Sequence, residues 1–357
     1  MEKGFLIIVF ILLIFGLAML SSAGIIDAQK KFNSSSYYVL HQFISGVLPG
    51  LILMFILSRI NYKNWKKLSV LILLGTLFIM GLVFVPGIGF GLKGATRWIR
   101  IAGNTFQPSE LLKLSLIIYF AAWFSNRADH SKDWFFGMAP FLTVMLIAGA
   151  LLVKQPDFGT LIIVTCIGLG IYFFHGESLK KMALIVGCIA VVGAGLIYFE
   201  PYRFDRIRTF IDPSHDPRGI SYQINQSLIS IGSGGMFGVG YGMSTQKYGF
   251  LPEVVNDSIF AVIAEELGFT GSAFVIAMFA GLCYILVGIA KSTDNSFGYL
   301  FVMGMNIWIM SQATINIAAI SGLLPLTGIP LPFISFGGSA MMSLLAGLGI
   351  VWNISRA

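Results

Sequence analysis

The stretch Lys247-Tyr-Gly-Phe-Leu-Pro-Glu253-Val-Val-Asn-Asp257-Ser258-Ile-Phe-Ala-Val-Ile-Ala-Glu265-Glu266-Leu-Gly268 carries a long polar segment into a hydrophobic helix. Three carboxylates, those of Asp257, Glu265 and Glu266, lie on or inside that junction. At about 1.5 Å rise per residue, the two glutamates follow Asp257 by roughly 12 Å. A charge inside an apolar helix is costly, so groups of this kind mark a pathway or a reaction site. Asp257 is therefore the candidate base at a membrane surface. Its competing role is that of a helix N-cap, a position that Asn, Asp and Ser all favour.

The rest of the chain fits a helix that enters a bilayer. Of 357 residues, 56% are hydrophobic and 11% are charged, against about 25% charged in soluble domains. Apolar runs near 4–23, 38–58, 67–86, 108–125, 139–153, 159–175, 182–199, 258–290, 297–320 and 337–355 are each close to the length of a membrane span. The expected fold is an all-α polytopic membrane protein with about ten transmembrane helices, in a single domain over 1–357. The first run, with Lys3 before it and Ser21-Ser22-Ala23 near its end, has elements of a signal peptide, but it is long for one and is read as a retained span. Cys166, Cys188 and Cys283 lie in apolar spans without metal-ligand spacing.

With both termini placed on one side, eleven Lys and Arg fall on that side and six in the short loops opposite. The positive-inside rule then puts both termini in the cytoplasm. Three of the six opposing charges crowd one loop, Lys93-Gly-Ala-Thr-Arg97-Trp98-Ile-Arg100. Such a loop is either solvated, with Trp98 as an interface anchor, or a site for an anionic head group, whose oxygens match the guanidinium fork.

After it, Gln107-Pro108-Ser109-Glu110 suits a helix start, with Pro108 in the first turn and Glu110 at the positive end of the dipole. Lys113 lies a turn deeper and must snorkel or pair, with Asp257, Glu265 or Glu266 as the candidate partners. The turn Lys154-Gln155-Pro-Asp157-Phe-Gly-Thr160 is a short outer reversal in which Asp157 can cap the next helix.

Residues 200–257 form the long outer loop, the likeliest carrier of function by length alone. It holds Arg203, Arg206 and Arg208, then an amphipathic run with Tyr222, Gln223, Gln226 and Ser227, whose Ile224, Leu228 and Ile231 have the spacing of a surface-lying helix. The glycine run 232–242 fits no GxGxxG register and no βαβ unit, so it is read as a place of close backbone approach. Near 322–339 the chain is hydrophobic yet rich in Pro and Gly, which predicts a re-entrant segment buried beside the site. Asn316, in the span before it, packs helices or touches ligand.

Taken together, Gly94-Ala-Thr-Arg-Trp98, Phe106-Gln-Pro-Ser-Glu110 with Lys113, Gln155-Pro-Asp-Phe-Gly-Thr160, Tyr222-Gln223 with Gln226-Ser227, Ile231-Gly-Ser-Gly-Gly235, Leu251-Pro-Glu253 with Asp257, Glu265-Glu-Leu-Gly268 and Leu331-Pro-Phe-Ile-Ser335-Phe-Gly-Gly-Ser339 resemble the SEDS (FtsW/RodA) family of bacterial cell-wall proteins. The resemblance covers essentially the whole chain. It implies a membrane glycosyltransferase that polymerises lipid II into glycan strands on the outer face of the cytoplasmic membrane, with a class B penicillin-binding protein as partner. Most of the wording matches the division branch, FtsW, which implies other division-complex membrane proteins as partners and a place at the septum. Gly328-Ile-Pro-Leu-Pro332 is closer to the elongation branch. Where the family commonly has Thr-Asp-Phe, this chain has Asn256-Asp257-Ser258, which puts the setting of the aspartate in question.

Glycosidic bond formation needs a base for the acceptor hydroxyl and positive charge for a departing pyrophosphate. By the resemblance Asp257 is the base, acting with inversion. Arg97, Arg100, Lys113, Arg203 and Arg206 are candidates for the charge, and Mg2+ or Mn2+ is an alternative source. Gln155, Gln223, Gln226, Ser227, Lys247 and Glu253 complete the candidate substrate contacts. Trp98, Ser109, Glu110, Asp157, Glu265, Glu266, Asn316, Ser335 and Ser339 are expected to support them. Two other classes remain open on the residues alone: a lipid II transporter, since intramembrane charges and broken helices also line transport pathways, and a scaffold that recruits the transpeptidase. Nothing points to nucleic acid; the basic balance reflects the membrane loops.

Overall fold

The computed structural model describes residues 1–92, 95–101, 104–126, 134–176, 179–198, 201–212 and 219–357. A helix forms at each of the ten apolar runs. In chain order the elements are α1 (Glu2–Phe32), α2 (Tyr37–Gln42), α3 (Leu48–Arg59), α4 (Lys63–Leu82), β1 (Gly89–Leu92), β2 (Ala95–Ile101), β3 (Asn104–Phe106), α5 (Pro108–Ser125), α6 (Trp134–Lys154), α7 (Phe158–Phe174), α8 (Leu179–Tyr198), α9 (Pro201–Ile211), α10 (Ile220–Ser233), α11 (Ile259–Lys291), α12 (Ser296–Ile320) and α13 (Gly338–Ile354). α2 and α3 are one span, joined by the π-helical turn Phe43–Val47. Among the described residues, five stretches are long and apolar enough to cross a membrane by length and composition: Glu2–Phe32, Tyr37–Arg59, Lys63–Leu82, Ile259–Lys291 and Ser296–Ile320.

α5 is the central helix, buried along nearly its whole length between α4, α7, α12 and α13. A helix apolar all round belongs in such a place. Elsewhere small residues set the packing. A Cβ on Gly349 of α13 would meet Met54 O of α3 at 2.5 Å, and Gly50 faces Leu345 in the same interface. α1 runs antiparallel to α11, with Phe15 against Phe274 and Gly4 against Ile285.

Three features differ from expectation. The basic outer loop is a three-stranded antiparallel sheet in the order β1-β2-β3, with Phe90 opposite Trp98. The physical reason is the period-two run of β2, in which Arg97 and Ile99 share one face and Thr96 and Arg100 the other. Lys93 and Gly94 of that loop lie outside the described residues. Within the long outer loop, α10 is the expected amphipathic helix and α9 is an additional one. α10 packs on α11 with Ile224, Ser227 and Ser230 buried, while Leu228 is exposed.

The third difference is a break in α11. Gly268 takes φ 66° and ψ −160°, outside helical geometry. The glycine run fills the gap: Val239 N and Gly240 N donate to the carbonyls of Glu265 and Glu266, and Phe269 N and Thr270 N donate to those of Gly235 and Met236. A Cβ on Gly238 would lie 2.1 Å from Glu266 O, so this approach requires glycine.

Residues 321–337 form no helix, as the Pro/Gly-rich reading predicts, and Leu326, Ile329, Leu331, Phe333, Ile334 and Ser335 are buried there. Phe333 holds φ 65°, unusual for a bulky residue. Gly16 of α1 makes room for it, since a Cβ there would meet Phe333 O at 2.3 Å.

Candidate active site

Asp257 sits on the turn just before α11, outside the span. The helix starts at Ile259 with Ser258 as the N-cap residue, and no side chain caps it. Asp257 is therefore not spent on capping. Its Oδ2 accepts from Gln223 Nε2 of α10 at 3.3 Å, and the same amide donates to Ser258 Oγ at 3.0 Å. Its Oδ1 is buried and has no hydrogen-bond partner in the protein. Burial pushes the Asp257 carboxyl up to about 6, and the neighbouring Glu253 carboxylate adds to the rise; the Gln223 hydrogen bond and the Arg206 guanidinium oppose it. A carboxylate so placed holds and releases a proton near neutral pH. Glu253 is fixed in left-handed geometry at φ 52° and accepts from Asn256 Nδ2 at 2.6 Å.

The re-entrant segment is stitched to this turn. Asn316 Nδ2 of α12 donates to Asp257 O at 2.9 Å and to Ile329 O at 2.7 Å. Ser335 Oγ donates to Asn256 O and accepts from Leu331 N, and Phe336 N donates to Val255 O. One turn along α12, Gln312 Nε2 donates to Pro330 O at 2.9 Å. Gln42 donates to Ser335 O and accepts from Gly337 N. Irregular backbone at membrane depth is stable only when its polar groups are met in this way. Arg206 Nη1 closes the far end with a 2.8 Å bond to Leu326 O.

Several candidates lie elsewhere. Lys113 pairs with Glu110 on its own helix at 2.7 Å and donates to Gln312 Oε1 at 3.2 Å. It does not pair with Asp257, Glu265 or Glu266. A three-residue spacing brings two side chains together on one helix face, so the local partner wins. Glu266 pairs instead with Lys247 at 2.9 Å and accepts from Ser22 of α1. Glu265 accepts from Ser244 Oγ, Thr245 N and Gln246 N. These three charged groups knit the glycine-rich segment to α11.

Arg97 donates to Gln155 O and Pro156 O and lies 3.8 Å from Asp157. Asp157 caps α7 through Thr160 N and accepts from Ser109 Oγ and Gln107 Nε2. Gln107 N donates to Ser339 Oγ. Gln155 is buried, with Nε2 donating to Met80 O. Arg97, Gln155, Ser109, Asp157 and Ser339 thus secure the helix ends around the α6–α7 turn. Arg100 is exposed, its guanidinium 4.2 Å from the Phe90 ring centre, and Trp98 is half-buried on β2. Ser227 donates to Gln223 O, and Gln226 is half-buried beside it. The side chain of Arg203 lies outside the described residues.

Sequence reasoning passed over Gln42, Gln312 and Thr327. Gln312 had a usable signal, because it stands four residues from Asn316 and so shares its helix face. Gln42 stands at the start of an apolar run, where a polar group is costly unless paired.

The class defined by this arrangement is a multi-pass membrane protein with an acidic site at the outer end of a broken helix, roofed by a re-entrant segment. The chain belongs to the FTSW_RODA_SPOVE family, described as cell cycle protein, whose model matches residues 3–357. It is 38% identical to a probable peptidoglycan glycosyltransferase FtsW of Geobacter sp. (strain M18), covering 97% of this chain and 94% of that one. It is 35% identical to stage V sporulation protein E of Bacillus subtilis (strain 168), covering 98% and 95%. Among solved structures, it matches a chain in a work on structural coordination of polymerization and crosslinking by a peptidoglycan synthase complex, with a TM-score of 0.82 at 24% identity over 99% of this chain and 97% of that one. The rod shape determining protein RodA of Thermus thermophilus gives 0.73 at 24% identity, covering 99% and 96%. At that identity the two structures speak for the fold.

Proposed function

We propose that this chain is a peptidoglycan glycosyltransferase that polymerises lipid II at the outer face of the bacterial cytoplasmic membrane. The observation that carries the reading is the Asp257 carboxylate, poised near neutrality with Oδ1 unpartnered and the Arg206 guanidinium close enough to act on its charge. Asp257 takes the proton from the acceptor hydroxyl as that oxygen attacks the anomeric carbon. The bond from that carbon to the pyrophosphate oxygen breaks, its electron pair leaves with polyprenyl pyrophosphate, and the configuration inverts. Arg206 is the described cation nearest this event. The charge for the leaving group is assigned to Arg206, whose guanidinium holds Leu326 O and acts on the Asp257 carboxylate.

Among the described residues, no group of three or more His, Cys, Asp or Glu side chains is placed to hold a metal ion. A Mg2+ or Mn2+ ion would therefore be held chiefly by the pyrophosphate and water, as Mg2+ commonly is. The 1–357 chain acts as one domain with both termini cytoplasmic. Its partners are the growing glycan strand, a class B penicillin-binding protein and other division-complex membrane proteins at the septum; the FtsW relatives support the septal role over a RodA-like elongation role. A fluorescent fusion confined to the side wall would reverse that assignment.

The test is lipid II polymerisation by the purified chain with its cognate transpeptidase, comparing wild type with Asp257→Asn at matched folding. Loss of a general base costs about 10²–10⁴-fold. A variant polymerising at the wild-type rate would remove Asp257 from the chemistry. The break in α11 favours a second reading, lipid II transport. That reading requires movement of labelled lipid II across liposomes that hold no acceptor.

A further inference from the structure

Three buried side-chain oxygens at the site have no hydrogen-bond partner in the protein: Asp257 Oδ1, Asn316 Oδ1 and Thr327 Oγ1. Such atoms are exceptions in native structures, and each calls for a cause. The three residues are joined through the re-entrant backbone and its hydrogen bonds. Asn316 touches Asp257 through Asp257 O, and Thr327 stands between Leu326, held by Arg206, and Ile329, held by Asn316. Asn316 is 1% exposed and both of its Nδ2 bonds go to backbone carbonyls, so its amide orientation is fixed and Oδ1 can only accept. The ionised Asp257 carboxylate likewise only accepts, and Thr327 can do either.

This donor and acceptor pattern discriminates between the two ends of the substrates. A pyrophosphate offers acceptor oxygens and negative charge, which Asp257 and Asn316 Oδ1 repel. A sugar offers hydroxyl donors on neighbouring carbons. We propose that Asn316 Oδ1 and Thr327 Oγ1 bind hydroxyls of the acceptor sugar, and so hold its reacting hydroxyl against Asp257 Oδ1. This rests on the reading of Asp257 as the base. The anionic group is placed with Arg206, whose Nη1 holds Leu326 O on the other side of Thr327. Asp257 and Asn316 thus turn the pyrophosphate away, and Thr327 is a contact for the sugar that they admit.

Asn316 also holds two backbone carbonyls, so Thr327 gives the cleaner test. Fluorescent lipid II bound to the purified full chain is displaced with two competitors: a soluble N-acetylglucosamine–N-acetylmuramic acid disaccharide and polyprenyl pyrophosphate. Thr327→Val keeps the branched shape and removes the hydroxyl, while Thr327→Ser keeps the hydroxyl. Loss of one hydrogen bond predicts disaccharide weakened roughly 3- to 10-fold in Thr327→Val, restored in Thr327→Ser, with polyprenyl pyrophosphate within about twofold of wild type throughout. Polymerisation by Thr327→Val should show the change mainly in KM for lipid II. Equal weakening of both competitors would make Thr327 merely structural and overturn the proposal. So would an unchanged disaccharide, or a wild type that the disaccharide does not displace. Displacement needs no turnover, so a wild type that binds but does not polymerise would sink the glycosyltransferase reading while leaving this result to stand on its own.

Discussion

Two irregular segments lie against the helices of this molecule, and the carboxylates beside them are treated in opposite ways. Around residues 234–248, the carboxylates of Glu265 and Glu266 are saturated. They accept from the amides of Gly242, Ser244, Thr245 and Gln246, and Lys247 closes the station on Glu266, Ser22 Oγ and Gly242 O. Around residues 321–337, the backbone is equally well held, yet Asp257 Oδ1, Asn316 Oδ1 and Thr327 Oγ1 are left over. Both places carry carboxylates beside α11, and charge alone does not tell them apart. Gln246 Oε1 is left over beside the glutamates as well, so what separates scaffold from reaction site here is whether the carboxylate is used up: Glu265 and Glu266 are, and Asp257 Oδ1 is not.

The sharpest way to break that contrast is to unpair the closed station. Lys247 and Glu266 are almost fully buried, 2% and 0% exposed, with Nζ and Oε1 2.9 Å apart. Removing one partner of such a pair costs about 3–5 kcal/mol because the other charge is stranded. Lys247→Met should therefore lower thermal stability in detergent strongly, and Lys247→Met with Glu266→Leu should recover much of it. If Lys247→Met instead folded normally and lost lipid II binding, Lys247 would belong to the substrate after all.

This contrast also shows what the sequence could and could not disclose. Ten apolar runs, the Pro/Gly-rich re-entrant stretch and the boundary position of Asp257 were legible because each depends on local composition. The assignment of charges was not. Lys113 met Glu110 three residues away and not a carboxylate of α11, and Glu265 and Glu266 turned out to cap a glycine-rich segment of the preceding loop. The first pairing is encoded by its three-residue spacing; the second depends on where the chain folds back, which no period or spacing encodes. The sheet over β1 to β3 is legible from the alternation in β2, although the charges of Arg97 and Arg100 fit a solvated loop equally well.

A smaller effect sharpens the open site. A general base works ionised, and the Asp257 carboxyl is raised to about 6, so its active fraction grows as pH rises through that value and is lost below it. The acid limb of kcat/KM for polymerisation should thus fall near pH 6. Glu253→Gln removes the like charge that helps to raise Asp257 and should move the limb to lower pH. A limb that stays in place would mean that burial alone sets the carboxyl, or that another group governs the profile.

The smallest effect concerns Arg100, a cation the sequence offered to the pyrophosphate. It is exposed, and its guanidinium lies over the Phe90 ring at 4.2 Å, on the sheet and not on the re-entrant segment. An exposed contact of this kind contributes about 0.5–1 kcal/mol. Arg100→Ala should therefore cost the sheet a small amount of stability and leave the affinity for lipid II within about twofold, since Arg100 lies on the sheet and away from Asp257. The same binding measurement on Arg206→Ala should show the larger loss, because Arg206 is the guanidinium that joins the Leu326 carbonyl to the field around Asp257. The reverse order would place the anionic group over β2, and would make the outer sheet part of the substrate site.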